Sequence, residues 1–487
     1  LVELRRSNPG RDPMADLSST WKSITETARA VEAREVSPVQ LTRTCLDRIE
    51  RSDRAIRAFA FVDVEGALDA ARAAEREIQR GRYRGPLHGI PVALKDNYDT
   101  RGVPTTNGSQ VFAHRIPNRD ATVWERLRNA GAILLGKVGM HEVAWGVDVP
   151  PTRNPWDIRC TPGLSSGGAG AAVAAGLCFA AMGSDTGGSV RIPASCCGVV
   201  GLKPTYGRVS RLGILPHSWS LDHAGPLTLR VEDAAIVLRT IAGPDPRDPS
   251  TANLPVPDYL ASFHRGVSGL RLGVPREHFY ERLEAGVEAA VRQALRELEG
   301  LGARLEEISI PHIRYSLAAI LTIELASATA WHERYLRDAG SRARYTPEVR
   351  LLLDAGKFMF ATDFLKAQRV RQILMNEIQA AFRQVDVLVT PTLPLVAWQI
   401  DRSTVRIDGQ EEHVLHACWR YTYLSNLTGL PAISIPCGFV NGLPAGLQLI
   451  GRPFDEAVVL RVANAYEEAM PWHQRHPKDA EVPDRAL

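Results

Sequence analysis

The 487-residue sequence contains no Cys-x-x-Cys pair, no His-Glu-x-x-His, and no run of about 18 apolar residues, the length that a membrane span needs. Its seven cysteines (Cys45, Cys160, Cys178, Cys196, Cys197, Cys418 and Cys437) are odd in number and scattered, apart from one vicinal pair that could close only a strained bridge. They read as reduced core residues of a cytoplasmic protein. The close histidine pair, His413 and His416, lacks a nearby third ligand, so neither a metal nor a cofactor is expected. A basic surplus is also missing: the net charge is only +3, which removes nucleic acid as a default partner. With 45% hydrophobic and 23% charged residues, the chain is composed as a folded globular protein and not as a disordered one.

Lysine is scarce, at 7 of the 58 basic residues. Arginine cannot surrender its proton in a protein, whereas a buried lysine can, so any lysine-type base must come from a short list: Lys95, Lys137 and Lys203 carry the relevant local patterns. At the N-terminus the first methionine is Met14, and no apolar segment of a signal peptide precedes it. Residues 1–13 read as a cloning remnant or a disordered segment, and residues 14–487 as one domain.

Helix-type text covers 18–35, 38–51 and 63–81, with serine or early proline at the first two starts. A short apolar run, 89–94, bounded by breakers and ending at Lys95, predicts a buried strand. Helix and strand text then alternate, with helices at 121–130 and 168–175 and strands at 132–135 and 179–182. A Pro-, Asp- and Ser-rich crossing at 243–266 is followed by strand 270–274, helix 286–301 and strand 304–308. Long helices at 315–337 and 360–385 lead back to strands at 386–390, 432–436 and 447–450, and to a last helix at 456–470. The alternation predicts an α/β fold: a single large domain with one mixed β-sheet covered by helices on both faces.

Three loops carry chemistry. In Gly183-Ser184-Asp185-Thr186-Gly187-Gly188-Ser189-Val190-Arg191, a serine lies beside a glycine turn whose N–H groups at Thr186, Gly187, Gly188 and Ser189 could hold a developing oxyanion. Taken alone, the same text also suits a helix cap or a phosphate cradle. Upstream, Gly163-Leu164-Ser165-Ser166-Gly167 matches a Gly-x-Ser-x-Gly elbow. That elbow must follow a strand, and 154–162 is turn and loop text. Lys95 considered alone would cap its strand and pair with Asp96 or Asp99. Asp222 and His223 invite a Ser-His-Asp reading, but adjacent side chains do not readily present that geometry.

Together the three loops resemble the amidase signature family. Further text fits it: Gly136-Lys137 followed by Met140-His141-Glu142, then Asn154-Pro155-Trp156-Asp157, Gly198-Val199-Val200-Gly201-Leu202-Lys203-Pro204-Thr205, Ser220-Leu221-Asp222-His223-Ala224-Gly225-Pro226 and Asn426-Leu427-Thr428-Gly429-Leu430-Pro431-Ala432. The resemblance runs from about residue 18 to 467. It implies a neutral Lys95 that draws a proton through Ser165 from the nucleophile Ser189, with a cis peptide bond between Leu164 and Ser165. It also implies that Arg191 pairs with Asp185 to brace the nucleophile loop. Two positions depart from the family's usual text: Leu164 replaces Gly, and Ala169 replaces Ser.

The expected activity is hydrolysis of a small or aryl/alkyl amide through an acyl-serine at Ser189; carbamates and esters could use the same donors. Met140, Trp145, Trp219 and Trp419 are candidates to line the substrate pocket, although large residues of these types more often belong to the core. The expected partner is a small-molecule amide, with no nucleic acid and no membrane; a homodimer is left open. Two alternatives stand beside this reading. One is a subunit of an amidotransferase that works on charged tRNA, disfavoured by Met140-His141-Glu142-Val143-Ala144-Trp145-Gly146 and by the low charge. The other is a catalytically silent anion-binding module.

Overall fold

The computed structural model describes residues 21–146 and 151–478. The expectation for residues 1–13 and the predicted helix start at Ser18 lie outside them. Capping chemistry sets the first two described helices. Ser23 accepts from Glu26 N while the Glu26 carboxylate accepts from Ser23 N, a reciprocal box that opens Ile24–Glu32. Ser37 and Gln40 repeat the device ahead of Pro38–Ile56, with proline in the first turn.

Among the described residues eleven strands form one mixed sheet, apart from the two-stranded hairpin Thr404–Ile407 and Gln410–His413. In spatial order they are Phe59–Val62, Ile133–Val138, Pro91–Lys95, Ala180–Asp185, His223–Thr228, Val200–Lys203, Ala432–Val440, Leu443–Gly451, Val387–Pro391, Arg271–Pro275 and Arg304–Ile308. The neighbours Ile133–Val138, Pro91–Lys95 and Ala180–Asp185 run parallel, with Leu94 opposite both Lys137 and Met182. The middle of the sheet is antiparallel. One continuous hydrophobic cluster spans the whole sheet, which is flanked by helices, so the single-domain α/β expectation holds. The parallel pair matters most for the site, because it brings the ends of Pro91–Lys95 and Ala180–Asp185 side by side.

Some elements were not readable from local text. His223–Thr228 contains Pro226, which normally argues against an interior strand. The ladder to Val200–Lys203 covers only Leu227 and Thr228, so on that side Pro226 lies beyond the pairing. The late strands are longer than expected because Asn441 and Gly442, at φ +52° and +84°, close a tight hairpin between Ala432–Val440 and Leu443–Gly451. Ser316–Arg337, with the turn before it, is the one segment among the described residues with the length and composition of a membrane span. In the fold it buries Glu324 and His332 beside Ile320 and Ile323, and packs against Pro347–Gly356 and Ala361–Ala381.

Candidate active site

Lys95 ends its strand fully buried, and its Nζ donates to Ser165 Oγ at 2.7 Å and to Ser184 Oγ at 2.9 Å. Asn97 Nδ2 donates to the same Ser184 Oγ at 3.0 Å. Burial pulls the Lys95 ammonium down to about 7, against the opposing pull of Asp185 and Asp222. The ion-pair role that an isolated lysine would suggest is not what the fold provides. Asp96 accepts from Thr106 N and faces Lys137 at 3.8 Å, while Asp99 pairs with Arg115 at 2.7 Å. Lys137, lowered to about 8 by burial, donates to Tyr98 O and Thr105 Oγ1 in the loop that follows Pro91–Lys95. Lys203 donates to Pro204 O. Of the three candidate lysines, Lys95 is the one that reaches the serines.

The peptide bond between Leu164 and Ser165 is cis, as the resemblance implies. Ser165 is fully buried and its carbonyl accepts from His141 N at 3.2 Å. Ser166 then fastens the loop to the neighbouring one: its N donates to Ser189 O at 3.2 Å and its Oγ to Ser184 O at 3.1 Å. From there the chain enters Gly167–Ala174, where Ala169 is packed out of contact with solvent. Among the described residues no strand leads into the loop, so the elbow motif is a coincidence of text.

The turn after Ala180–Asp185 is organised by Asp185. Its carboxylate accepts from Gly188 N at 2.8 Å, from Val190 N at 3.1 Å, and from both Arg191 Nε and Nη2 at 3.0 Å. Burial opposes ionisation of Asp185, but the Arg191 guanidinium outweighs it and holds the carboxyl well below the usual carboxylate range. Of the four expected donors, the Gly188 N–H is already used by Asp185, while those of Thr186, Gly187 and Ser189 have no such partner among the described residues. Gly188, at φ +127°, and Gly187 are also fixed by packing, since a Cβ would strike the Thr422 hydroxyl at the first and the Tyr423 ring at the second. Ser189 is 6% exposed, and its Oγ makes no hydrogen bond among the described residues. Catalytic contacts of this kind commonly tighten only when substrate is bound.

Arg191 further donates to Ser425 Oγ, Gln448 Oε1 and Asn426 Oδ1, each at 2.6 Å, and is itself fully buried. Removing one partner of such a buried pair strands the other charge. Arg191→Met is therefore expected to cost about 3–5 kcal/mol of stability, readable as a lowered denaturant midpoint. A midpoint equal to the parent's would show that the brace is not needed.

The proposed pocket residues do not converge. Met140 and Trp145 are buried beside a cavity of about 480 Å³ that Glu142 and Thr346 also line. Trp419 is buried and stacks on Tyr423 with ring centroids 5.4 Å apart, and it lines neither this cavity nor the next. Trp219 is the opposite of a core residue: it is 73% exposed and stands at a separate cavity of about 260 Å³ that the buried Asn97, Ser184 and Thr186 also line. Asp222 and His223 form no triad. Asp222 accepts from Thr186 Oγ1 at 2.6 Å, and His223 Nδ1 lies 2.6 Å from Leu221 O. Sequence reasoning missed Asn97, Ser184 and the Asn426–Gln448 support, whose partners come from distant parts of the chain. Among the described residues no group of three His, Cys, Asp or Glu side chains is placed to hold a metal ion. All seven cysteines are buried and unbridged.

The family model described as Amidase matches residues 40–460. The chain is 45% identical over 468 residues to an amidase of Pseudomonas putida, covering 95% of this chain and 98% of that protein. It is 44% identical over 479 residues to a glutamyl-tRNA(Gln) amidotransferase subunit of Moorella thermoacetica, covering 93% and 97%. Among solved structures it is similar to the peptide amidase of Stenotrophomonas maltophilia, with a TM-score of 0.83, 33% identity, and 94% and 98% coverage. A bacterial aryl acylamidase gives a TM-score of 0.86 at 27% identity, covering 93% of this chain and 97% of that one.

Proposed function

Because this chain belongs to the amidase signature family and is a hydrolase of C–N amide bonds, we propose that it cleaves small-molecule amides through an acyl-serine intermediate at Ser189. The observation that carries the reading is the 2.7 Å contact between a fully buried lysine and Ser165, in a loop hydrogen-bonded to the Ser189 turn. As a neutral amine, Lys95 takes the Ser165 proton while Ser165 takes that of Ser189, and the freed oxygen attacks the acyl carbon. The N–H groups of Thr186, Gly187 and Ser189 stabilise the tetrahedral oxyanion. The proton then returns by the same route to the departing nitrogen. Water, deprotonated through Ser165, releases the acid.

A panel of p-nitroanilides, primary amides and carbamates, assayed with and without prolonged chelation, tests this. Turnover of amides that is unaffected by chelator and needs no added cofactor is expected, since the proposed steps use only side-chain and backbone groups. Activity lost to EDTA and restored by zinc or manganese would contradict it. The similarity to the Moorella thermoacetica amidotransferase protein favours a second reading, in which the same site supplies ammonia to a partner. Purification as a stable complex with partner chains, together with turnover of glutamine in preference to the panel, would support that one.

A further inference from the structure

The antiparallel ladder between Ala180–Asp185 and His223–Thr228 ends on the pair Asp185 and His223, so the next residues out, Thr186 and Asp222, face each other just beyond its end. Thr186 is where the nucleophile turn begins, and its Oγ1 donates to the Asp222 carboxylate at 2.6 Å. The loop that precedes the strand holds the same carboxylate, which accepts from His217 N at 2.9 Å and from Ser218 N at 3.0 Å. That loop closes on itself, since Leu221 N and Asp222 N both donate to Ser218 O at 2.8 Å. It is fastened further out as well: His217 Nε2 lies 2.8 Å from Glu324 Oε1 on the long helix Ser316–Arg337. Asp222 therefore reaches Thr186 from a fixed post.

The two aspartates beside the turn are satisfied differently. Asp185 is paired with Arg191, whereas the buried Asp222 makes no ion pair among the described residues and is met only by hydroxyl and N–H dipoles. A buried carboxylate without a cation costs stability that a neutral side chain would not, and such a cost is characteristic of groups kept for a site. Thr186 is the link to the chemistry. Its branched side chain has few rotamers, and with Oγ1 anchored the χ1 angle is fixed and the adjoining backbone is restricted. That backbone carries the Thr186 N–H, one of the donors that have no partner among the described residues. An oxyanion donor contributes most when it is aimed before the charge develops. Asp222 is also near enough to Lys95 for its charge to favour the ammonium, as that of Asp185 does; His141, the other titratable group facing Lys95, is lowered to about 3 by burial and stays neutral.

We propose that Asp222 is a positioning residue for the reaction: by holding Thr186 Oγ1 it aims the Thr186 N–H at the tetrahedral oxyanion. The role rests on the acyl-serine reading above, and the test keeps the two apart. Asp222→Asn and Thr186→Val are each expected to lower kcat for the best amide about 10–10²-fold, with KM within about twofold of the parent. The double variant should lose no more than the worse single one, since both substitutions cut one contact. Thr186→Ser, which keeps the hydroxyl, should recover most of what Thr186→Val loses. Affinity for a trifluoromethyl ketone, whose adduct with Ser189 carries the oxyanion, should fall by the same factor as kcat, while affinity for the product acid stays at the parent's value. The pH profile reports the charge separately. Asp222→Asn moves the acidic limb to lower pH, because one carboxylate that favours the Lys95 ammonium is gone, and Thr186→Val leaves the limb in place. A carboxylate that served only to hold its loop would lower the denaturant midpoint and leave kcat and ketone affinity alone. Parental kcat and ketone affinity in a folded Thr186→Val protein, or losses that add in the double variant, would overturn the proposal, and the first of these decides it even where Asp222→Asn does not fold. Fluorophosphonate labelling of Ser189 in the parent reports on the acyl-serine reading alone: a labelled parent with unchanged variants removes the positioning role, whereas an unlabelled parent removes the intermediate and with it the oxyanion that Thr186 would serve.

Discussion

Ser189→Ala is expected to leave a folded protein that hydrolyses its best amide about 10⁴–10⁶-fold more slowly than the parent, the scale seen when a nucleophilic serine is removed from a unit that acts as a whole. The loss should fall on kcat. The substitution removes only the attacking oxygen, while the N–H donors of Thr186, Gly187 and residue 189 remain, and the turn is held from outside by Asp185, Thr422 and Tyr423. Circular dichroism and the denaturant midpoint should match the parent, since the Ser189 hydroxyl makes no hydrogen bond within the described fold. Steady-state turnover within tenfold of the parent would remove Ser189 as nucleophile.

The second large effect concerns the base. Lys95→Arg should be nearly as damaging as Lys95→Ala, each lowering kcat/KM by about 10²–10⁴-fold, because arginine preserves charge but cannot accept a proton. The sign of the pH dependence follows from the same burial. A lysine lowered to about 7 is protonated and inactive below that pH and neutral above it, so activity rises as pH rises through about 7. A structural lysine would give the reverse ordering, with arginine tolerated and alanine impaired. The surroundings already speak against such a role, since Asp96 and Asp99 are engaged by Thr106, Lys137 and Arg115.

The three key loops were legible because each is written locally: a lysine at the end of an apolar run, a double serine between glycines, and a serine after a glycine pair. The parallel strands 91–95 and 180–185 were visible for the same reason, as short apolar runs between breakers. What joins them was not legible. Arg191 reaches Ser425, Asn426 and Gln448 across more than two hundred residues, and no local pattern announces such partners. Nor was the engagement of Gly188 legible, because its N–H looks like any other glycine's until Asp185 is seen to accept from it. Trp219 misleads by residue type: a large apolar side chain suggests core, but its position is set by a loop tied down through Asp222 and Thr186, which leaves the ring 73% exposed. Pro226 concealed an interior strand whose pairing on one side stops just short of it.

The central claim is that a neutral Lys95 activates Ser189 through Ser165. The rate at which a fluorophosphonate attaches to Ser189, followed by peptide mass mapping over a range of pH, tests it without dependence on substrate choice. Attachment should occur at Ser189 alone, rise with pH through a midpoint near 7, and become at least about 10²-fold slower and flat across that range in Lys95→Arg. Attachment at Ser165 or Ser166, or a folded Lys95→Arg protein that reacts with the parent's rate and pH profile, would contradict the account.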